Sequence, residues 1–302
     1  MGEATPPVLA VFGPTACGKT AVAGAITLRI PSEVVSADSA ALYRGLEVLT
    51  AAPDYPARLV GVFDIEEEVS VGEFQRLAHD AIDSVVGGGR TAVVVGGTGL
   101  YLRAALSALE IPPPPAAGAR ERWEQTYDDG GPEAAHALLA ERDPDAAARV
   151  HPNDRRRVVR ALELAEVGAS LAGDRLWEAD VRHPTVVFGL DVPDAVLEER
   201  IRERAAKMLE GGVVEEARSA LARSPSTSAR KVMGLVDFAR LPPDEAVEAL
   251  VRNNRRLARY QRKWMRRMPD LISVDADRPP GEVADEIVEM ARGRQRLRAR
   301  RA

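Results

Sequence analysis

Val8-Leu9-Ala10-Val11-Phe12-Gly13-Pro14-Thr15-Ala16-Cys17-Gly18-Lys19-Thr20-Ala21-Val22-Ala23 decides how this chain folds. Its first five residues are apolar without alternation, the pattern of a strand buried on both faces of a parallel sheet. Gly13 to Thr20 then fits G-x-x-x-x-G-K-[ST]. In such a loop the glycines free backbone N–H groups to wrap an anion, Lys19 reaches the terminal phosphate, and the Thr20 hydroxyl can hold Mg²⁺. The alanine-rich helical pattern that follows points the positive end of its dipole at the same place. A strand before and a helix after separate this loop from a chance glycine turn, so its expected ligand is a di- or triphosphate.

Composition bounds the rest. With 302 residues, 45% of them hydrophobic, the chain can build a large core in one or two domains. No apolar run approaches the ~18 residues of a membrane span. Met1 to Pro7 lacks both the charge and the apolar stretch of a signal peptide, so a cytoplasmic protein without membrane contact is expected. The single cysteine, Cys17, excludes an internal disulfide, and four histidines without ligand spacing argue against zinc. At the start of a helix, the Cys17 thiol either has a lowered pKa or is a small filler. The net charge of −5 conceals a segregation: Glu33 to Val86 is acidic, whereas Val251 to Met268 holds eight Arg or Lys and no acid. That segment is either a surface for a polyanion or a solvated helix face.

Glu33-Val34-Val35-Ser36 reads as a second strand ending at Ala37-Asp38-Ser39. Ligands of open parallel sheets lie beyond the carboxyl ends of the strands, which puts Asp38 near the phosphate loop. There it serves a metal or takes a proton, or it caps a helix over Ala40-Ala41-Leu42-Tyr43. Arg44 to Ser70, broken by Pro53 and Pro56, is expected to be an irregular connection. Val71 to Val86 has helical spacing, with Phe74, Leu77, Ala78, Ile82 and Val85 on one face and Gly87-Gly88-Gly89 closing it. A third buried strand, Thr91 to Val95, runs into Gly96-Gly97-Thr98-Gly99-Leu100-Tyr101, a second glycine turn that opens a helix. Two such turns on one sheet edge make a phosphate pocket with two walls. The third strand ends in glycines, without the Walker-B aspartate that phosphoryl-transfer enzymes of this class use for Mg²⁺.

Pro112 to Pro115 is a stiff spacer. It opens a helical stretch, Arg120 to Trp177, with helices over Ala134–Glu141, Asp145–Val150 and Asp154–Val167. On the last, capped by Asp154, Arg157 and Arg160 share a face that is either suited to phosphates or simply solvated. The sheet returns at Thr185 to Leu190. Residues 1–114 and 183–302 therefore form an α/β core, and 115–182 a helical insertion. Pro193-Asp194 opens a helix on which Arg200 or Arg204 faces the pocket or, with Glu203, lies on an exposed salt-bridged surface. Leu250, Leu257, Trp264 and Met268 mark an apolar stripe ringed by Arg252, Arg255, Arg256, Arg259, Lys263 and Arg267. Leu271 to Val274 is a last strand and Glu282 to Met290 a closing helix.

The phosphate loop, Ser36-Ala37-Asp38-Ser39 with Leu42-Tyr43-Arg44-Gly45, and Val95 to Tyr101 resemble the tRNA dimethylallyltransferases (tRNA isopentenyltransferases). So do His151-Pro152-Asn153-Asp154 with Arg157 and Arg160-Ala161-Leu162-Glu163, Arg200 to Arg204 with Met208-Leu209, and Gln261 with Trp264. The resemblance runs from Val8 to about Asp275 and implies a P-loop NTPase-like parallel sheet flanked by helices, with an all-helical insertion domain. It implies transfer of a dimethylallyl group from dimethylallyl diphosphate to N6 of the adenosine 3′ of a tRNA anticodon, in a monomer. Gly13, Pro14, Thr15, Ala16, Cys17, Gly18, Lys19 and Thr20 would hold the diphosphate. Lys19, Thr20 with Mg²⁺, Thr98 and Arg204 would stabilise the departing charge, with Asp38 as general base. Asp38, Ser39, Ala40, Ala41, Thr98, Arg120, Arg156, Arg157, Arg160 and Lys231 to Val236, including Gly234, match stretches that touch tRNA, and the insertion would grip the anticodon stem. The chain departs from the family at Ala52, usually lysine, and at Arg58-Leu59-Val60, Gly234-Leu235-Val236 and Tyr260, which stands in place of arginine. An adenylate isopentenyltransferase is the alternative within this chemistry, and a P-loop small-molecule kinase the alternative outside it.

Overall fold

The structure, a computed structural model, describes residues 7–111, 115–171 and 180–299. The apolar run is β1 (Val8–Phe12), buried along its whole length. It is followed by α1 (Lys19–Thr27), β2 (Ser32–Ser36), α2 (Glu47–Thr50), β3 (Ala57–Arg58), α3 (Val71–Gly87), β4 (Thr91–Gly96) and α4 (Gly99–Leu106). Then come α5 (Ala119–Arg142), α6 (Pro144–Ala147) and α7 (Arg155–Glu166). The sheet resumes with β5 (Thr185–Asp191), followed by α8 (Asp194–Glu210), α9 (Val213–Ala222), a 3-10 turn at Ala229–Lys231, α10 (Leu235–Arg240), α11 (Pro243–Arg267), β6 (Ile272–Asp275) and α12 (Pro280–Ala299).

Among the described residues six strands form one sheet in the order β3-β2-β4-β1-β5-β6, with every neighbouring pair parallel. This is the expected α/β class, a P-loop-like parallel sheet flanked by helices. β4 and β5 pair both backbone edges of β1, and its side chains are buried on both faces of the sheet. Leu9 and Val11 join Ile26 of α1, Phe188 of β5, Val251 of α11 and Ile287 of α12 in one core cluster. Each such buried side chain stabilises the fold by about 1.5–3 kcal/mol. Parallel strands all end at one edge, so the residues after β1, β2 and β4 share it.

The chain divides into two compact units, Met1–Ala108 with Ala179–Ala302, and Leu109–Glu178. The second is a helical cluster in which Val158, Val159, Ala161 and Leu162 of α7 pack with Tyr127 and Leu139 of α5. Its α5 starts at Ala119 and bends where Gly131 adopts φ 79° ahead of Pro132. The expected spacer at Pro112–Pro114 and the helical end at Trp177 lie outside the described residues.

Three expectations fail locally. Ala40 to Tyr43 is a turn rather than a helix, because the Asp38 side chain closes on the Ala40 N–H and Tyr43 bridges to Phe63. The connection from Arg44 to Ser70 is not wholly irregular, since α2 and the edge strand β3 interrupt it. On α11 the buried face includes the polar Asn254 and Gln261, while Leu257 is only half buried. Among the described residues no helix is long and apolar enough to cross a membrane.

Candidate active site

The site grows from the end of β1. Gly18 takes φ +96°, a left-handed conformation that costs a side-chain-bearing residue energy, and so turns the loop into α1. The amide end of α1 faces the concavity made by Gly13 to Gly18, the arrangement that attracts anions. Lys19 Nζ donates to the Gly13 and Pro14 carbonyls at 3.0 and 2.7 Å.

The second wall comes from β4. Ala37 N–H donates to the Val95 carbonyl at 2.7 Å, so Asp38, two residues past β2, lies at the sheet edge where β4 runs into Gly96-Gly97-Thr98. Thr98 precedes α4 but does not cap it with its hydroxyl. The two glycine turns are tied together by a residue from far along the chain. Gln261 on α11 accepts from the Thr15 N–H at 2.8 Å and donates to the Gly97 carbonyl at 2.8 Å, and it is 4% exposed. The ring of Trp264, one turn later, covers Gly99. A Cβ at Gly97 would fall 2.5 Å from Gln261 Nε2, and one at Gly99 would fall 2.1 Å from the Trp264 ring. Glycine in this turn is therefore what α11 demands.

Arg204 on α8 gives the site its electrostatic character. Its Nη2 donates to Thr15 Oγ1 at 3.0 Å, and its Nε is buried without a partner among the described residues. No carboxylate among those residues forms an ion pair with it. Burial works against the charge and pulls its pKa below the usual arginine range, while the Asp38 carboxylate opposes that shift. Arginine does not give up its proton, so a half-buried cation here, with its Nε out of solvent, is complementary to an anion bound in the loop. Arg200, the other candidate, points instead to the Ala276 carbonyl and Asp277.

One oxygen of Asp38 accepts from Ala40 N–H at 2.9 Å, and the other makes no hydrogen bond among the described residues. Its field also reaches Tyr101, whose phenol is pushed up to about 12, chiefly by burial and then by the charges of Tyr43, Asp38 and Glu68. Cys17 is buried and its thiol pKa is raised by that burial against the pull of Lys19, which overturns the lowered pKa considered from its helix position.

Thr20 is exposed at the start of α1. Among the described residues no group of three His, Cys, Asp or Glu could hold a metal ion. A hydroxyl beside a phosphate loop nevertheless fits Mg²⁺, which takes one or two protein groups and completes its shell with phosphate oxygens and water.

In the helical unit the arginines behave differently. Glu163 on α7 is fully buried and accepts from Arg120 Nε at 2.7 Å and from Arg160 Nη1 at 2.8 Å. Burial favours its neutral form, but the two guanidinium groups outweigh that and hold its pKa below the usual glutamate range. The joint phosphate patch expected of Arg157 and Arg160 is not formed, since Arg160 turns to Glu163 while Arg156 and Arg157 are exposed. Ser39, Ala40 and Ala41 are half buried in the turn after β2, and Lys231 is exposed. Gly234 is buried, packed by Leu49 and Leu250.

Residues 41–268 match the family model described as IPP transferase, a span that begins beyond the phosphate loop. The tRNA dimethylallyltransferases of Salinispora arenicola and Streptomyces coelicolor are 38% and 40% identical to the chain, over 93% and 87% of it and 85% and 88% of their own lengths. The full-length tRNA isopentenylpyrophosphate transferase of Bacillus halodurans superposes with a TM-score of 0.68 at 30% identity, covering 97% of this chain and 99% of that one. A eukaryotic dimethylallyltransferase acting on tRNA, 23% identical, shares the fold with a TM-score of 0.72 over 89% of this chain and 73% of its own. With its order of motifs and matches of this extent, the chain belongs to the IPP transferase family.

Proposed function

We propose that this protein transfers a dimethylallyl group from dimethylallyl diphosphate to N6 of the adenosine beside the anticodon of a tRNA, releasing diphosphate. The observation that carries the reading is Arg204, a half-buried arginine at the mouth of the phosphate loop whose Nε is out of solvent and which has no carboxylate partner among the described residues. The names of its relatives, tRNA dimethylallyltransferases, support the donor and the acceptor.

In this mechanism the loop amides, Lys19 and Arg204 hold the diphosphate and balance the negative charge that grows as the allylic C–O bond breaks. The electron pair of that bond leaves with the diphosphate. N6 of the adenine attacks the allylic carbon and forms the new C–N bond, and its proton passes to the unbonded oxygen of Asp38. Thr98, at the head of α4 with its hydroxyl unused as a cap, would offer that hydroxyl to the leaving group. Bound Mg²⁺ would be held by Thr20 and would add positive charge to the diphosphate oxygens. The adenine must leave its stack for N6 to reach Asp38. Ser39, Ala40, Ala41, Arg156, Arg157 and Lys231 are the groups we assign to the RNA. We place the reaction in a cytoplasmic monomer.

The test is product analysis. Purified protein is incubated with Mg²⁺, dimethylallyl diphosphate and either tRNA or AMP, and in parallel with labelled ATP and a nucleoside. Mass spectrometry should find prenylated adenosine in digested tRNA. Prenylated AMP alone would favour cytokinin-type synthesis, and a phosphorylated nucleoside would replace carbon transfer with phosphoryl transfer.

A further inference from the structure

Tyr260 is 55% exposed and is the only exposed aromatic side chain among the described residues. It lies on α11 immediately before Gln261, the residue that ties the phosphate loop to the second glycine turn. Its ring meets that of Trp264 edge to face, with centroids 6.3 Å apart and planes at 71°. Trp264 is in turn fixed against Gly99. The exposed phenol is therefore braced on one side by a ring that belongs to the wall of the site, and little conformational freedom remains to be lost when something stacks on it.

Its neighbours on the helix surface are cations. Arg256 lies four residues before it and Lys263 three after, the spacings that share a helix face, and both are exposed. Among the described residues neither forms an ion pair, and the segment from Val251 to Met268 contains no acid to neutralise them. The arginines of α11 that are paired, Arg255 with Glu198 and Arg262 with Asp191 and Asp194, are flanked by carboxylates of α8 and β5. An exposed flat ring set between two uncompensated cations, one turn of helix from a phosphate cradle, matches what single-stranded nucleic acid requires: a face for a base and charges for the phosphates on either side.

We propose that Tyr260 is a stacking platform for an unpaired base of the RNA, next to the adenosine that enters the site, with Arg256 and Lys263 holding the flanking phosphates. The assignment rests on the proposed RNA prenyl transfer and adds a residue that fixes the loop nucleotide in place. Stacking is indifferent to base identity, so Tyr260 contributes affinity and register while the pocket selects adenine.

The experiment titrates an anticodon stem-loop RNA, carrying 2-aminopurine beside the acceptor adenosine, into the intact wild-type chain and into Tyr260→Phe, Tyr260→Leu, Tyr260→Ala and Lys263→Ala. Dimethylallyl diphosphate binding is measured on the same samples as a check on the fold. Wild type and Tyr260→Phe should bind alike and quench the probe. Tyr260→Ala and Tyr260→Leu should lose about tenfold or more in RNA affinity and most of the quench, with diphosphate binding and the salt dependence unchanged. Lys263→Ala should keep the quench and lower the slope of log affinity against log salt by about one phosphate contact. Leucine performing as well as phenylalanine, or alanine retaining wild-type affinity and quench, would overturn the stacking role while leaving prenyl transfer standing. Wild type that fails to bind the stem-loop, or modifies AMP only, would overturn both.

Discussion

Two arginine environments in this molecule have opposite logic. At the sheet edge, Arg204 is half buried beside Thr15, its Nε out of reach of solvent, with no carboxylate partner among the described residues. In the helical unit, Arg120 and Arg160 converge on the buried Glu163 and their charge is satisfied within the fold. A desolvated cation without an anion is costly, because burial removes hydration that nothing replaces. A protein that keeps one at the mouth of a phosphate loop has left room for a partner from outside. Where the fold supplies its own anion, the arginine holds helices together, and we assign phosphate recognition to exposed neighbours such as Arg156 and Arg157.

The contrast is broken or sharpened by substitution. The largest effect belongs to Asp38→Ala, which removes the base and should lower kcat/KM for prenyl transfer by about 10²–10⁴-fold. Diphosphate affinity should stay near wild type, and normal turnover would remove the general-base role. Next is Arg204→Gln, which should reduce kcat about 10²–10³-fold, measured in single-turnover assays, by withdrawing one charged donor from the leaving group.

Glu163→Gln should leave chemistry almost intact and instead destabilise the helical unit by about 3 kcal/mol, since it leaves two guanidinium groups without their buried anion. Hydrogen exchange of α5 and α7 reads that loss. The pH dependence has a fixed sign. Because the folded pKa of Glu163 is depressed, its stabilisation is present above the unfolded value near ~4.3 and is lost as pH falls through the lower folded value. Acid should thus weaken the wild-type unit more steeply than the glutamine variant. The smallest effect is expected for Arg157→Ala: a few-fold loss of RNA affinity and a salt slope lower by about one contact, without loss of stability.

The sequence carries the cradle because everything that makes it is local. Five consecutive apolar residues, a glycine loop and a helix start lie within one short stretch, and the second glycine turn repeats that grammar. β3 is not legible because two residues have no pattern of their own; Ala57 and Arg58 become a strand by pairing with Val34 and Val35. The turn at Ala40 to Tyr43 looks helical by composition, and only the Asp38 side chain and the bridge to Phe63 decide otherwise. Gln261 is visible as a motif residue, but its function is not. Its partners Thr15 and Gly97 are 246 and 164 residues away, and only the packing of α11 over the sheet edge brings them together. Arg160 misleads for the same reason, since three-residue spacing places it near Arg157 while the buried Glu163, on its own helix, claims it.

The central claim is that the unpaired guanidinium of Arg204, half buried at the loop, is held for a diphosphate, and calorimetric titration of inorganic diphosphate with Mg²⁺ tests it most directly. Arg204→Gln should bind about tenfold or more weakly than wild type, and Arg157→Ala should bind as wild type does. Equal affinity in wild type and Arg204→Gln would contradict the account.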